Sequence, residues 1–229
     1  MTISSLGKKT ALLLGWTAAL LFSVSLNLVV LYAFLPPPVT PLMLRRAREG
    51  VRKIEYRWVP LSRISPYMVR AARAAEDKHF WEHQGFDLEA MRMAWEHNRA
   101  LAGGPARGGS TITQQTCKNL FLWPDRSYLR KSLELYFTLL VETVWTKRRI
   151  MEVYLNVVET GDGIFGVEAA SLRYYRKHAR DLALEEAAMI AVILPNPRRL
   201  DPLKPGEELL RRYWRLCRIL REEEIPAHK

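Results

Sequence analysis

Cysteine is scarce: Cys117 and Cys217 are the only two in 229 residues. They could pair in an oxidising compartment, but Cys117 sits on an expected helix and two cysteines cannot define a disulfide framework, so two free thiols is the reading. Histidine is sparse as well. His79 and His83 have the i, i+4 spacing of metal ligands, but no third ligand lies near them in sequence, so packing at a helix end is the reading and zinc is not. Strand signals are few; Val51 to Val59 is the best candidate, and it stops at Pro60. No convincing internal repeat organises the chain. Acidic side chains are in deficit, 24 against 35 basic, leaving a net charge of +11. That balance points to an anionic partner without choosing between nucleic acid, an anionic membrane and a phosphorylated substrate.

A local absence narrows the choice. No charged side chain occurs from Ala11 to Leu35, which is 25 positions, and a helix of about 20 residues already spans a bilayer core. A cleaved signal peptide has a shorter apolar region ending at small residues, whereas this run ends Tyr32-Ala33-Phe34-Leu35-Pro36-Pro37-Pro38. It is read as an uncleaved transmembrane anchor followed by a stiff proline spacer. Lys8 and Lys9 favour a cytoplasmic N-terminus, but Arg45, Arg46, Arg48, Arg52 and Lys53 on the far side outnumber them. Charge counting alone therefore points the wrong way, and the orientation rests on function. The expected organisation is a cytoplasmic tail at 1–10, the membrane helix at 11–35, a linker and entry segment at 36–60, and one catalytic domain at 61–229.

Beyond the spacer the pattern is mostly helical. Ser65-Pro66 is an N-cap with proline at the first helical position, starting a helix that runs to Glu76. Asp87 caps a helix reaching Leu101, Ser127 one reaching Trp145, and Thr146 one over Lys147 to Val158 that ends in the loop Gly161-Asp162-Gly163. Further helices are expected at 166–176, 184–194 and 206–223.

Four segments carry candidate chemistry. In Arg73 to Asp87, Glu76 ends an alanine-rich turn just before the aromatic pair Phe80-Trp81. Such a carboxylate can have its pKa raised towards the range of a general base, with Asp77 keeping the site anionic; the bland alternative is a solvated acidic pair. In Gly108 to Asn119, two glycines precede a Thr111/Gln114 capping box. A helix N-terminus of this kind with Lys118 beyond it suits an anionic ligand, although a capping box alone is ordinary. In Arg126 to Glu134, Arg130 and Lys131 share a helix face with Glu134. Cations from Lys118 to Lys131 alternate with the apolar run Leu120 to Trp123, which suits a ligand with phosphate at one end and lipid at the other. In Lys147 to Asn156, the stripe Ile150, Val153, Tyr154, Val157 is read as structural.

In this order the segments resemble the motifs of the family 51 peptidoglycan glycosyltransferases, and within them the monofunctional Gram-negative members. The matching residues are Glu76-Asp77 with Phe80, His83 and Gly85; then Gly109 to Gln115 with Lys118-Asn119; then Arg130-Lys131 with Glu134; then Arg149-Ile150, Glu152 and Tyr154 to Asn156. Thr116-Cys117 stands where many members carry aliphatic residues. The resemblance implies a mainly α, lysozyme-like two-lobed domain behind the membrane helix. It implies an inverting polymerisation of lipid II, with the growing glycan on undecaprenyl pyrophosphate as donor. Glu76 would be the general base, Lys118 and Arg126 would stabilise the departing pyrophosphate with Arg130 and Lys131 near them, and Glu134 would orient the sugar-pyrophosphate or help hold a divalent ion, Mg or Mn. Asp77, His83, Ser110, Thr111, Gln114, Gln115 and Asn119 would serve substrate binding. The implied location is the inner membrane with the domain periplasmic, in the company of cell-wall synthesis or division proteins and not nucleic acid. A lysozyme-like lytic enzyme would not need the Lys118 to Lys131 cations, and a membrane-tethered basic scaffold or nucleic-acid binder would spread its charge instead of gathering it beside carboxylates.

Overall fold

The structure, a computed structural model, describes residues 3–51, 53–100, 108–125 and 127–223. It divides into two units, Met1–Pro36 and Pro37–Lys229. The first is helix α1 (Ile3–Phe34), in which Lys8–Phe34 is long and apolar enough to cross a membrane. Leu12, Leu13, Leu14 and Trp16 are all exposed, as on a helix whose solvent is lipid. Its polar side chains bond back to its own backbone: the Thr17 hydroxyl donates to Leu13 O at 2.9 Å and the Asn27 amide to Ser23 O at 2.7 Å.

The second unit is mainly α. Its helices are α2 (Pro41–Arg48), α3 (Pro66–Glu76), α4 (Leu88–Ala100), α5 (Ile112–Phe121), α6 (Tyr128–Val144), α7 (Lys147–Val157), α8 (Val167–Tyr175), α9 (Leu184–Ile193) and α10 (Glu207–Glu222). The expected caps form where local sequence demands them. The hydroxyls of Ser65, Ser127 and Thr146 accept from the amides of Tyr67, Arg130 and Arg149, and Asp87 Oδ1 accepts from Ala90 N at 2.7 Å.

Two groups of helices pack separately and then against each other. One contains α3, α9 and α10; the other is built on α5, which contacts α6, α7 and α2. Helix α8 touches both α7 and α9 and bridges the groups. Helix α9 is buried at Leu184 and from Ala187 to Ile193, while α10 buries one face through Leu209, Tyr213, Leu216, Cys217 and Leu220.

The expected strand shortens to β1 (Glu55–Tyr56), and β2 (Glu159–Gly161) with β3 (Ile164–Phe165) forms where only a loop was expected. The sheet order is β1-β3-β2, with β1 parallel to β3 and β2 antiparallel to it. Neither strand of the hairpin is long enough to leave a periodic signal. The segment read as linker also contributes structure, because α2 packs on α5. Arg46 on α2 is buried, with Nε donating to Glu159 Oε1 at 2.8 Å and its other nitrogens bonded to Glu49 and Asp162. A buried guanidinium is tolerable because carboxylates surround it.

The Lys147 to Asn156 segment clamps the chain that leads into α3. Asn156 pairs with Val59 as a strand would, its Oδ1 accepting from Val59 N and its Nδ2 donating to Val59 O, both at 2.9 Å. Glu152 Oε2 accepts from Leu61 N at 2.7 Å, and the Arg149 guanidinium lies over the Trp58 ring at 5.1 Å. Both cysteines are free and buried, each placed as a small core side chain.

Candidate active site

Glu76 is the last residue of α3, at the edge of the first helix group, and it meets α5 of the second. Gln115 Nε2 donates to Glu76 Oε2 at 2.7 Å. Of the ten residues of α5, only Gln115, Lys118 and Phe121 escape burial, and their spacing of three puts them on one line. The sequence therefore folds so that an amide and an ammonium from one group face a carboxylate from the other.

Burial raises the Glu76 pKa above the ordinary carboxylate value; the Gln115 bond and the Lys118 charge pull it back, and Asp77 pushes it up. Burial lowers the Lys118 pKa, opposed by the attraction of Glu134 and Glu76 and reinforced by Arg130 and Lys131. Lys118 thus lies in the field of both carboxylates and of both neighbouring cations. On α6, Arg130 Nη1 binds Glu134 Oε2 at 2.6 Å and Lys131 Nζ binds Glu134 Oε1 at 2.5 Å, with the Glu134 side chain 3 % exposed. Arg126 lies outside the described residues.

Both Glu134 oxygens are engaged by cations, and no group of three His, Cys, Asp or Glu side chains able to hold a metal occurs among the described residues. The described residues do not make a ligand set for a divalent ion at Glu134.

The N-terminus of α5 is not left open for an anionic ligand, as its sequence suggested. Two of its amides are taken by the protein: Ile112 N donates to Asp77 Oδ2 at 2.9 Å, and Gln114 N to the Thr111 hydroxyl at 3.2 Å. Asp77 supplies the negative charge that this helix end favours. Its carboxylate also lies 2.9 and 3.0 Å from His83 Nε2. Because His83 Nδ1 accepts from Gly85 N at 3.1 Å, the ring proton sits on Nε2 and points at Asp77. Gly85 has φ +86°, and a Cβ there would stand 2.6 Å from Thr138 Cγ2, so only glycine fits this turn. His79 pairs separately with Asp87 at 3.0 Å, so the two histidines have different carboxylate partners.

The other expected cleft residues divide. Ser110 is exposed and lines the cleft, while Thr111 is buried, donating to Gly85 O at 2.7 Å. Gln114 is buried, its Oε1 accepting from Thr111 N at 3.0 Å and its Nε2 without a partner; Asn119 is buried too. Gln114 and Asn119 build the wall behind the cleft, and Thr111, though buried, reaches its lining. Gly109 serves close packing, since a Cβ there would lie 3.2 Å from Met91 Cα on α4. The run Leu120 to Trp123 also divides: Leu120 and Leu122 are buried, Phe121 stacks on Phe137 at 4.6 Å, and Trp123 is 38 % exposed. Phe80 is fully buried under the Lys147 ammonium, 4.7 Å from its ring centroid, while Trp81 stays half exposed.

Two cavities meet at Glu76. One, of about 480 Å³, runs over Lys78, His79, Asp87 and the Gly108 to Thr111 loop; the other, of about 240 Å³, lies against α9 and α10. Ala74, Ala75, Glu76 and Pro195 line both, so the two form one trench that passes Glu76. The alanines before Glu76 keep that passage open. Tyr154 and the α10 wall were not foreseen as site features. Tyr154 is fully buried, its hydroxyl has no partner among the described residues, and its pKa is raised by burial and by the charges of Glu76 and Asp77. The density of arginine along 211–221 was the available signal for α10.

Comparison with known proteins is concordant. A family model described as Transglycosylase matches residues 44–222. A biosynthetic peptidoglycan transglycosylase of Caulobacter vibrioides is 53% identical over 184 residues, 80% of this chain and 79% of that protein. One of Rhodospirillum centenum is 53% identical over 221 residues, 94% and 95% of the two chains. One of Bdellovibrio bacteriovorus is 48% identical over 205 residues, 87% and 81% of the two.

Proposed function

This chain belongs to the transglycosylase family, and on that premise we propose that its trench polymerises lipid II by inverting transfer, with Glu76 as the base. The protein is a peptidoglycan glycosyltransferase, as its named relatives are. The acceptor's GlcNAc 4-hydroxyl gives its proton to the Glu76 carboxylate as its oxygen bonds to the donor's anomeric carbon. The bond from that carbon to the pyrophosphate oxygen breaks, and its electron pair leaves with undecaprenyl pyrophosphate. A base of raised pKa is well matched to this proton transfer.

The leaving group is a stabilised anion, so fixed positive charge matters more than a strong acid. Lys118, with Arg130 and Lys131 beside it and Arg126 in the intervening segment, would receive that charge. Glu134 holds Arg130 and Lys131 in place and so orients the cations that would meet the sugar-pyrophosphate. Ser110 and Gln115 would contact the sugars. Asp77 and Thr111 line the larger cavity, while His83, Gln114 and Asn119 act on substrate through the wall they build.

Helix α1 fits a membrane anchor. With its N-terminus in the cytoplasm, the second unit would work at the outer face of the inner membrane, where polymer is needed. Tethering enzyme and lipid-linked substrate to one bilayer makes their encounter local. Trp123, Tyr128, Leu129 and Leu139 are exposed near Arg130 and Lys131 in sequence, an apolar and cationic mixture suited to a lipid with a phosphorylated head.

The observation that carries this reading is that Lys118, on the same α5 line as the Gln115 that bonds Glu76, lies in the field of both Glu76 and Glu134. A hydrolase attacking glycan with water has no pyrophosphate to receive and no use for that bank of cations. The test is to incubate the purified full chain with lipid II and analyse the product. β-1,4-linked strands are expected; a chain that only cleaves finished glycan overturns the assignment.

A further inference from the structure

The 240 Å³ arm of the trench has a composition that polymerisation at Glu76 does not by itself require. Its floor is small and apolar, made by Ala74, Ala75, Ala191 and Val192 with Leu216 and Ile219. Two guanidinium groups from α10, Arg212 and Arg215, stand at the same cavity. They are one turn apart and therefore share a helix face. Arg212 pairs with Glu208 on the exposed surface, while Arg215 has no ion pair or hydrogen bond among the described residues. The cavity also contains Glu76, so an anion entering it would be repelled unless cations stood opposite.

We propose that this arm binds the short peptide carried on the muramyl sugar of the substrate, with Arg212 and Arg215 taking its carboxylates. The inference rests on lipid II being the substrate. That peptide is rich in alanine and in free carboxylates, so its methyl groups match the small apolar floor and its charges match the planar donors of arginine. The cavity has its cations on a different helix from Lys118, Arg130 and Lys131. It therefore gives the enzyme a way to recognise the peptide separately from pyrophosphate.

The test compares two substrates, lipid II with free peptide carboxylates and lipid II with those carboxylates amidated. Each is given to the wild-type chain and to Arg212→Ala, Arg215→Ala and the double variant. Both arginines are exposed, so folding should persist. For wild type, amidation is expected to raise KM by about three- to tenfold with little change in kcat, and the double variant is expected to lose this discrimination. Arg215→Lys should keep part of it. Equal impairment of both substrates by the substitutions would assign the arginines to pyrophosphate or bilayer and overturn the proposal. So would a wild type indifferent to amidation. A wild type that makes no polymer from either substrate would instead refute the polymerase reading itself.

Discussion

Gln115 Nε2 donates to Glu76 Oε2 at 2.7 Å, and this bond links the two helix groups beside the one from Ile112 N to Asp77. It favours the ionised carboxylate, against the burial that favours the neutral one. Activity needs Glu76 ionised, so the rate should fall as pH drops through its pKa. Gln115→Leu removes the bond and should move that acidic limb to higher pH in a kcat/KM profile. A limb that stays where it was would show that Gln115 does not set the base.

Lys118 supplies the opposite limb. Its pKa is lowered from the ordinary lysine value by burial, so the ammonium should lose its proton, and polymerisation its rate, at a less alkaline pH than an exposed lysine would give. Lys118→Arg keeps the charge at all accessible pH and should displace the alkaline limb upward. Lys118→Ala should cost about 10²-fold to 10³-fold in kcat with the fold intact, by loss of a donor aimed at the departing charge. A Lys118→Ala enzyme with wild-type kcat would remove Lys118 from that role.

The Asp77 carboxylate binds both His83 and the first amide of α5, so it holds together the part of the cavity that it lines. Asp77→Asn and His83→Ala should each destabilise the chain by about 1–3 kcal/mol, and the double variant by clearly less than the sum. Thermal unfolding of the detergent-solubilised protein measures this. Strict additivity would mean that the two side chains do not act as a pair.

Features set by adjacent residues were legible before the structure. The caps at Ser65, Ser127 and Thr146, the Thr111/Gln114 box and the Arg130/Lys131/Glu134 face depend only on short spacings, and each forms. The candidacy of Glu76 came from its alanine-rich setting together with the motif order. What stayed hidden depends on distant partners. Asp77 could not be seen to fill the α5 terminus because Ile112 lies 35 positions away. Arg46 counted as a loop charge in the orientation argument, yet it is buried against Glu159. The β2-β3 hairpin is too short to show a period, and its pairing with β1 joins segments far apart in the chain.

Glu76 also bears on stability. Its folded pKa is raised, so its ionisation opposes folding: the native state is most favoured below the unfolded carboxylate pKa and loses that advantage as pH rises through the folded value. Glu76→Gln should therefore melt a few degrees higher than wild type at neutral pH, with the difference shrinking in acid. An unchanged difference at both pH values would contradict the sign of the shift.

The most direct measurement is single-turnover glycan formation from lipid II by Glu76→Gln, run beside wild type on protein shown to be folded by its melting curve. The account predicts a loss of at least about 10²-fold in rate while lipid II still binds. Strand formation at the wild-type rate would contradict it.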